Sequence, residues 1–195
     1  GDARNVVFRL AIYDDVPPGM PHPLDPLGPI TNYSRPGIPL WEQYFDLTRF
    51  TVRPYGTSTM EGWYDPATGV YQPQSDFTCW QYNFLIDAAD AFVQQGTPED
   101  EVTYWLSVDA IVPDLGGTAP QAEFGWKTSI SHWQDDAVWR TDMMPPPAWN
   151  ELWYPLGHPL YGESIDLAFA ITPEPATVAL LGAGLAGLAL RRRRR

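Results

Sequence analysis

Three glycines near the C-terminus, Gly182, Gly184 and Gly187, have the G-x-G-x-x-G spacing that cradles a pyrophosphate. That chemistry needs a strand before the glycines, a helix after them and then a second strand. It also needs an acidic side chain about 20 residues on for the ribose. Only eight residues follow Gly187, and five of them are arginine. The βαβ unit cannot be completed, so these glycines do not read as a nucleotide site.

Other residues with chemical potential are scattered. The acidic pairs Asp14-Asp15 and Asp135-Asp136 and the run Glu99-Asp100-Glu101 offer oxygen ligands of the kind calcium takes, but none has EF-hand or RTX spacing. No cofactor is expected, with calcium the one ion the acids would suit. Asp135 and Asp136 stand out because they lie between Trp133 and Trp139. These four residues, Trp133, Asp135, Asp136 and Trp139, are the candidate ligand contacts. His22, His132 and His158 are widely spaced and form no zinc motif. No G-x-S-x-G elbow is present. Paired carboxylates could serve a glycoside hydrolase, but with 24 acidic residues some pair will approach by chance. Cys79 is the lone cysteine, sits in the apolar "FTCWQYNF", and reads as a buried, inert thiol. Flat rings at Trp63, Tyr64, Tyr71, Trp105, Trp133, Trp149 and Trp153 suit stacking on sugars. Core packing is the competing use for each.

The elements that must position these residues read as strands. The chain has 195 residues, with 21 Pro, 16 Gly, 9 Trp and 10 Tyr. Pro and Gly interrupt helices and aromatics suit pleated surfaces, so an all-β body with long loops is expected. Val6, Phe8, Leu10 and Ile12 alternate with Val7, Arg9 and Ala11. The stretch "DDVPPGMPHPLDPLGPITNYSRPGIPLW" reads as loop from its prolines. "RFTVRPY" reads as a strand, and "EGWYDPATGVYQPQSD" as a hairpin or long turn. Trp80, Tyr82, Phe84 and Ile86 share one face of the next strand. Val102, Tyr104, Leu106, Val108, Ala110 and Val112 share a face of another, whose opposite face (Thr103, Trp105, Ser107, Asp109) predicts half-burial. Between these two, "DAADAFVQQGTPEDE" reads as a short helix or turn. "FGWKTS" and "DAVWR" are shorter candidates, and Ile165, Leu167, Phe169 and Ile171 align in a last strand. Seven to nine short strands predict one antiparallel β-sandwich, jelly-roll or Ig-like, over residues 1–171. The first residues run straight into core-type alternation, so upstream sequence, a signal peptide included, is expected in the whole protein.

After Thr172 the composition changes. Pro173, Glu174 and Pro175 end any ladder, residues 176–190 ("ATVALLGAGLAGLAL") carry no charge, and Arg191, Arg192, Arg193, Arg194 and Arg195 close the chain. Fifteen residues as helix span about 22 Å, short of a hydrocarbon core of about 30 Å. Arginine side chains can snorkel to extend that reach. This predicts a marginal transmembrane helix with its arginines cytoplasmic. The chain has 12 basic and 24 acidic residues. Without those five arginines, 7 face 24, a body charge of −17. Such a body repels nucleic acid and anionic membrane.

The order Pro-Glu-Pro, apolar span, arginine cluster over residues 172–195 resembles the PEP-CTERM sorting tail of Gram-negative bacteria. The resemblance implies that Pro173, Glu174 and Pro175 are read by exosortase, a membrane-embedded transpeptidase-type enzyme that cleaves near the motif. It also implies passage through the inner membrane to the outer surface or extracellular matrix. "SRPGIPLW", "WQYNFLI", "VTYWLSVDAIV", "FGWKTS" and "HPLYGESIDLAFAI" resemble a bacterial extracellular β domain of unknown function found before such tails. The expected protein is therefore an exported, non-catalytic surface or biofilm-matrix component. A polysaccharide-binding module and a glycoside hydrolase-like enzyme are the alternatives.

Overall fold

A computed structural model describes residues 2–113, 124–141 and 148–172. Within them the chain is all-β, with antiparallel pairing throughout. Strand β1 (Val7–Val16) is the centre of a three-stranded sheet, flanked by β2 (Arg35–Phe45) and β5 (Tyr104–Ile111). Strands β3 (Phe50–Asp65) and β4 (Val70–Phe84) form a long hairpin. Four two-residue strands follow: β6 (Thr128–Ser129) pairs with β9 (Asp166–Leu167), and β7 (Val138–Trp139) with β8 (Asn150–Glu151).

The alternation in β1 builds the main core. Val6, Phe8 and Leu10 are buried on one face, with Phe45 and Phe50. The Phe8 ring, fully buried, meets the hairpin edge-on. Its centroid lies 5.6 Å from that of Phe50, 4.8 Å from Tyr82 and 5.1 Å from Phe84. Edge-to-face pairs of this kind add about 0.5–1.5 kcal/mol each beyond area burial. Opposite strand residues in the hairpin, Phe50 with Phe84 and Val52 with Tyr82, supply that wall in pairs.

The other face of β1 is covered as well. Ala11 and Tyr13 are buried there with Trp149, and Trp105 from β5 packs beside them. Half-burial of β5 was expected with Trp105 and Asp109 on the open side. Instead every residue from Tyr104 to Ala110 is partly buried, because the segment carrying Trp149 crosses that face. Trp105 donates its indole N–H to Asp15 at 2.8 Å. Nearer the start of β1, Arg9 pins both neighbours: its guanidinium reaches Glu42 of β2 at 2.7 Å and Asp109 of β5 at 2.5 Å.

Three further expectations are corrected. The loop read through "SRPGIPLW" is largely strand β2. It lies at a sheet edge, and its register slips near Pro36 and Pro39, which face Asp15 and Tyr13. Proline is tolerated there because an edge strand turns one row of N–H positions to solvent. The aligned run Ile165 to Ile171 yields only the two-residue β9. Ile165 is buried, while Phe169 and Ile171 are exposed. Cys79, expected to be buried, is half-buried opposite Gly56. "DAADAFVQQGTPEDE" contains turns and no helix, with Thr97 and Asp100 closing a bridge. "EGWYDPATGVYQPQSD" is the hairpin's far end, turning between Asp65 and Val70. The helix expected over residues 176–190 lies outside the described residues. Among the described ones, no helix is long and apolar enough to cross a membrane.

The proline-rich segment before β2 is held by His22, 2 % exposed. Its Nδ1 accepts from the Leu24 N–H at 3.1 Å, so Nε2 carries the proton and donates to the Pro36 carbonyl at 3.0 Å. Burial pushes its pKa below the ordinary value of about 6.5.

Replacing Phe8 by Ala removes the ring that joins sheet and hairpin. A loss of about 3–5 kcal/mol in denaturant unfolding is expected, and a loss under about 1 kcal/mol would contradict this packing. For His22, the unfolded chain takes up a proton near pH 6.5 while the folded chain resists, so its stabilising contribution shrinks as pH falls below that value. The melting-temperature advantage of the wild type over His22→Gln should narrow between pH 7 and pH 5.5. An unchanged gap would contradict the neutral, buried imidazole.

Candidate functional site

Trp133, Asp135 and Asp136 lie on the loop between β6 and β7, and Trp139 lies in β7 itself. The loop is pinned at both ends by short backbone ladders and in the middle by side chains. Asp166 accepts from the Trp133 N–H at 3.2 Å with one oxygen and from the Leu167 N–H at 2.8 Å with the other. His132 Nδ1 meets Asp136 at 2.5 Å, a contact that raises the imidazole pKa. Gln134 sits in the left-handed region, φ 54°, and its side-chain oxygen accepts from Thr103 at 3.2 Å. A non-glycine residue there costs of order 1 kcal/mol or more and persists only when its surroundings hold it.

This geometry turns Asp135 and Asp136 into a small open cavity of about 110 Å³. Asp135, Asp136 and Glu151 line it, with Ser34, Ser164 and Trp153. Three chain segments meet there through backbone bonds. Ala137 N–H donates to Ile165 at 2.9 Å, Leu152 N–H to Ala137 at 3.0 Å and Ile165 N–H to Leu152 at 2.9 Å. Beneath them Leu152, Tyr154 and Ile165 form a buried cluster. Tyr33, also at the rim, donates to the Trp149 carbonyl at 2.7 Å, and burial followed by the Glu151 charge pushes its pKa up. Asp15, on the nearby end of β1, is raised by burial first. The charges of Asp135 and Asp14 add to that rise, against the Trp105 hydrogen bond.

The four candidates therefore separate. Asp135 and Asp136 line the cavity, and Trp133 stands at 77 % exposure one residue outside its lining. Trp139 packs against the Leu152 cluster and donates its indole N–H to the Glu151 carbonyl at 3.2 Å. Of the other rings, Trp105 and Trp149 are core, Tyr64 packs on the Leu152 cluster, and Tyr71 meets His158 edge-on at 5.4 Å. Trp153 is 44 % exposed at the cavity. Glu151, Ser34 and Ser164 gave no signal in the sequence. They are far apart in the chain and meet only through the fold.

The other acids do local structural work. Asp14 accepts from the Ile38 N–H, holding β2 to β1, and Asp100 N–H is capped by Thr97 at 3.1 Å. Among the described residues, no group of three or more His, Cys, Asp and Glu side chains is placed to hold a metal ion. The three histidines bond to backbone groups or to Asp136, and none of these bonds reaches a serine or cysteine. The cavity is thus a set of hydrogen-bond acceptors and hydroxyls beside a flat apolar ring.

Among curated proteins and solved structures nothing matches this chain. Two family models do. Residues 172–194 match the PEP-CTERM protein-sorting motif, which implies export, passage across a membrane and processing by exosortase, a membrane enzyme, with surface or extracellular placement. Pro173, Glu174 and Pro175 and the arginines through Arg194 fall within that match, and they and Arg195 lie outside the described residues. Residues 2–172 match the domain of unknown function DUF7901, so that the chain belongs to this family and bears a PEP-CTERM sorting tail.

Proposed function

We propose that this chain is a non-catalytic surface or extracellular-matrix protein of a Gram-negative-type bacterium. Its segment 176–190 holds it in the inner membrane until exosortase acts. One observation carries the reading: the sorting motif begins at residue 172, where the body's family match ends. Cleavage after Pro173, Glu174 and Pro175 would therefore release the β body whole. The packing of the hairpin on the three-stranded sheet fits a small sandwich. A body charge of −17, counted without the five terminal arginines, favours solubility beyond the membrane.

Intact-mass and C-terminal peptide analysis of the cell-associated and released protein tests this. The mature form should lack the segment after the Pro-Glu-Pro region, and replacing Pro173 and Glu174 by Ala should leave the full chain in the membrane fraction. Arg191 to Arg195 found on the mature extracellular form would overturn the reading.

A further inference from the structure

The cavity between the β6–β7 loop and β8 has features that go beyond sorting. Its volume of about 110 Å³ is well below the roughly 300–1,000 Å³ of a typical small-molecule site. It is close to the roughly 150 Å³ that admits one benzene ring. Smaller than that and open to solvent, it seats the edge of one ring and leaves the rest of a ligand outside. Asp136 is engaged by His132. The carboxylates of Asp135 and Glu151 accept no hydrogen bond from the described residues, although both line the cavity. An ionised carboxylate only accepts, so its complement is a ligand rich in donors. Trp153, 44 % exposed, is part of the lining, and Trp133, fixed through its backbone to Asp166, lies one residue outside it. Flat indole faces complement an apolar ring face.

Charge and coordination narrow the class. An anionic ligand meets three carboxylates here and the −17 body charge. A bare cation lacks the convergent ligand set it needs. A pyranose has what remains: hydroxyl donors around its edge and a C–H face for a tryptophan.

We infer that this cavity binds one unit of a neutral saccharide. Asp135 and Glu151 accept from its hydroxyls, and Trp153 stacks on its C–H face. Trp133 extends the contact to a neighbouring unit of a chain. The pinned loop holds these groups in place before the ligand arrives, which lowers the ordering cost of binding.

The test uses the full chain in detergent against soluble neutral glucan, mannan, galactan and xylan, followed by tryptophan fluorescence and by retention in affinity electrophoresis. At least one polymer should bind saturably and with little dependence on salt. Trp153→Ala should weaken binding by about tenfold or more, and the volume-conserving Glu151→Gln and Asp135→Asn by several-fold each. Tyr55→Ala, on the exposed hairpin, should leave it unchanged. Near-ultraviolet circular dichroism identifies any variant that fails to fold, and the two isosteric variants carry the test if Trp153→Ala does. The inference is overturned if the folded wild type binds none of the four polymers. It is equally overturned if binding survives all three cavity substitutions intact. New reducing ends that vanish with Glu151→Gln would sustain the site and remove the non-catalytic reading. Processing of the tail is read separately, by mass, and neither result depends on the other.

Discussion

The structure depends on how Phe8 is buried. Its ring is presented by the central strand of the three-stranded sheet and received by Phe50, Tyr82 and Phe84 of the hairpin. A short sheet and a two-stranded ribbon are each marginal alone. Joined across one aromatic cluster, they share a core that neither could close. The ladder bonds of β1 to β2 and β5 then fix where the rest of the chain starts and ends. Arg9, beside Phe8 but on the opposite face, ties the same three strands through Glu42 and Asp109. Part-exposed ion pairs of this kind contribute little energy. Their geometry favours one register, since a slip of one residue would carry Phe8 to the wrong face.

Because β1 is covered on both faces, it also sets the cavity. Ala11 and Tyr13 hold Trp149 against the sheet, and Arg140 lies over that indole at 5.0 Å. One residue on, Asn150 begins the pairing with β7 and Glu151 continues it, and the Tyr33 hydroxyl donates to the Trp149 carbonyl. The cavity is thus a few residues removed from the second core. Its loops are short pieces of strand that would not hold alone. Ala137, Leu152 and Ile165 carry them through three backbone bonds over a small buried cluster. A displacement of Trp149 would reach Glu151 and Trp153 directly through the chain.

Where strands alternate cleanly, sequence was a sufficient guide. β1, β5 and the hairpin follow from Phe8, Val108, Tyr82 and their neighbours, because a period of two fixes which side chains can meet. β2 was hidden by Pro36 and Pro39, whose edge position is a tertiary fact. β9 was overread, since Phe169 and Ile171 have the alternation of a strand without a partner long enough to pair with it. The site divides in the same way. Asp135 and Asp136 were visible between two tryptophans. Glu151, Ser34 and Ser164 were not, because nothing local distinguishes them from other surface residues. Trp139, equally visible, faces the buried cluster, since a two-residue strand places its side chains by what lies beneath rather than by flanking residues.

Charge connects the tail to the body. Five of the chain's twelve basic residues are the terminal arginines, so their removal takes the net charge from −12 to −17. On the proposed reading, the uncut chain is bipolar. Its basic end is drawn to anionic lipid, while its acidic body is repelled by the same surface. Cleavage removes the attractive end and leaves only the repelled one. Charge alone would then carry the mature body away from an anionic envelope. Retention at a surface would have to come from a contact that does not depend on net charge. A neutral polymer held by hydroxyl-to-carboxylate hydrogen bonds and ring stacking is such a contact. It uses the acids that cause the repulsion as its acceptors.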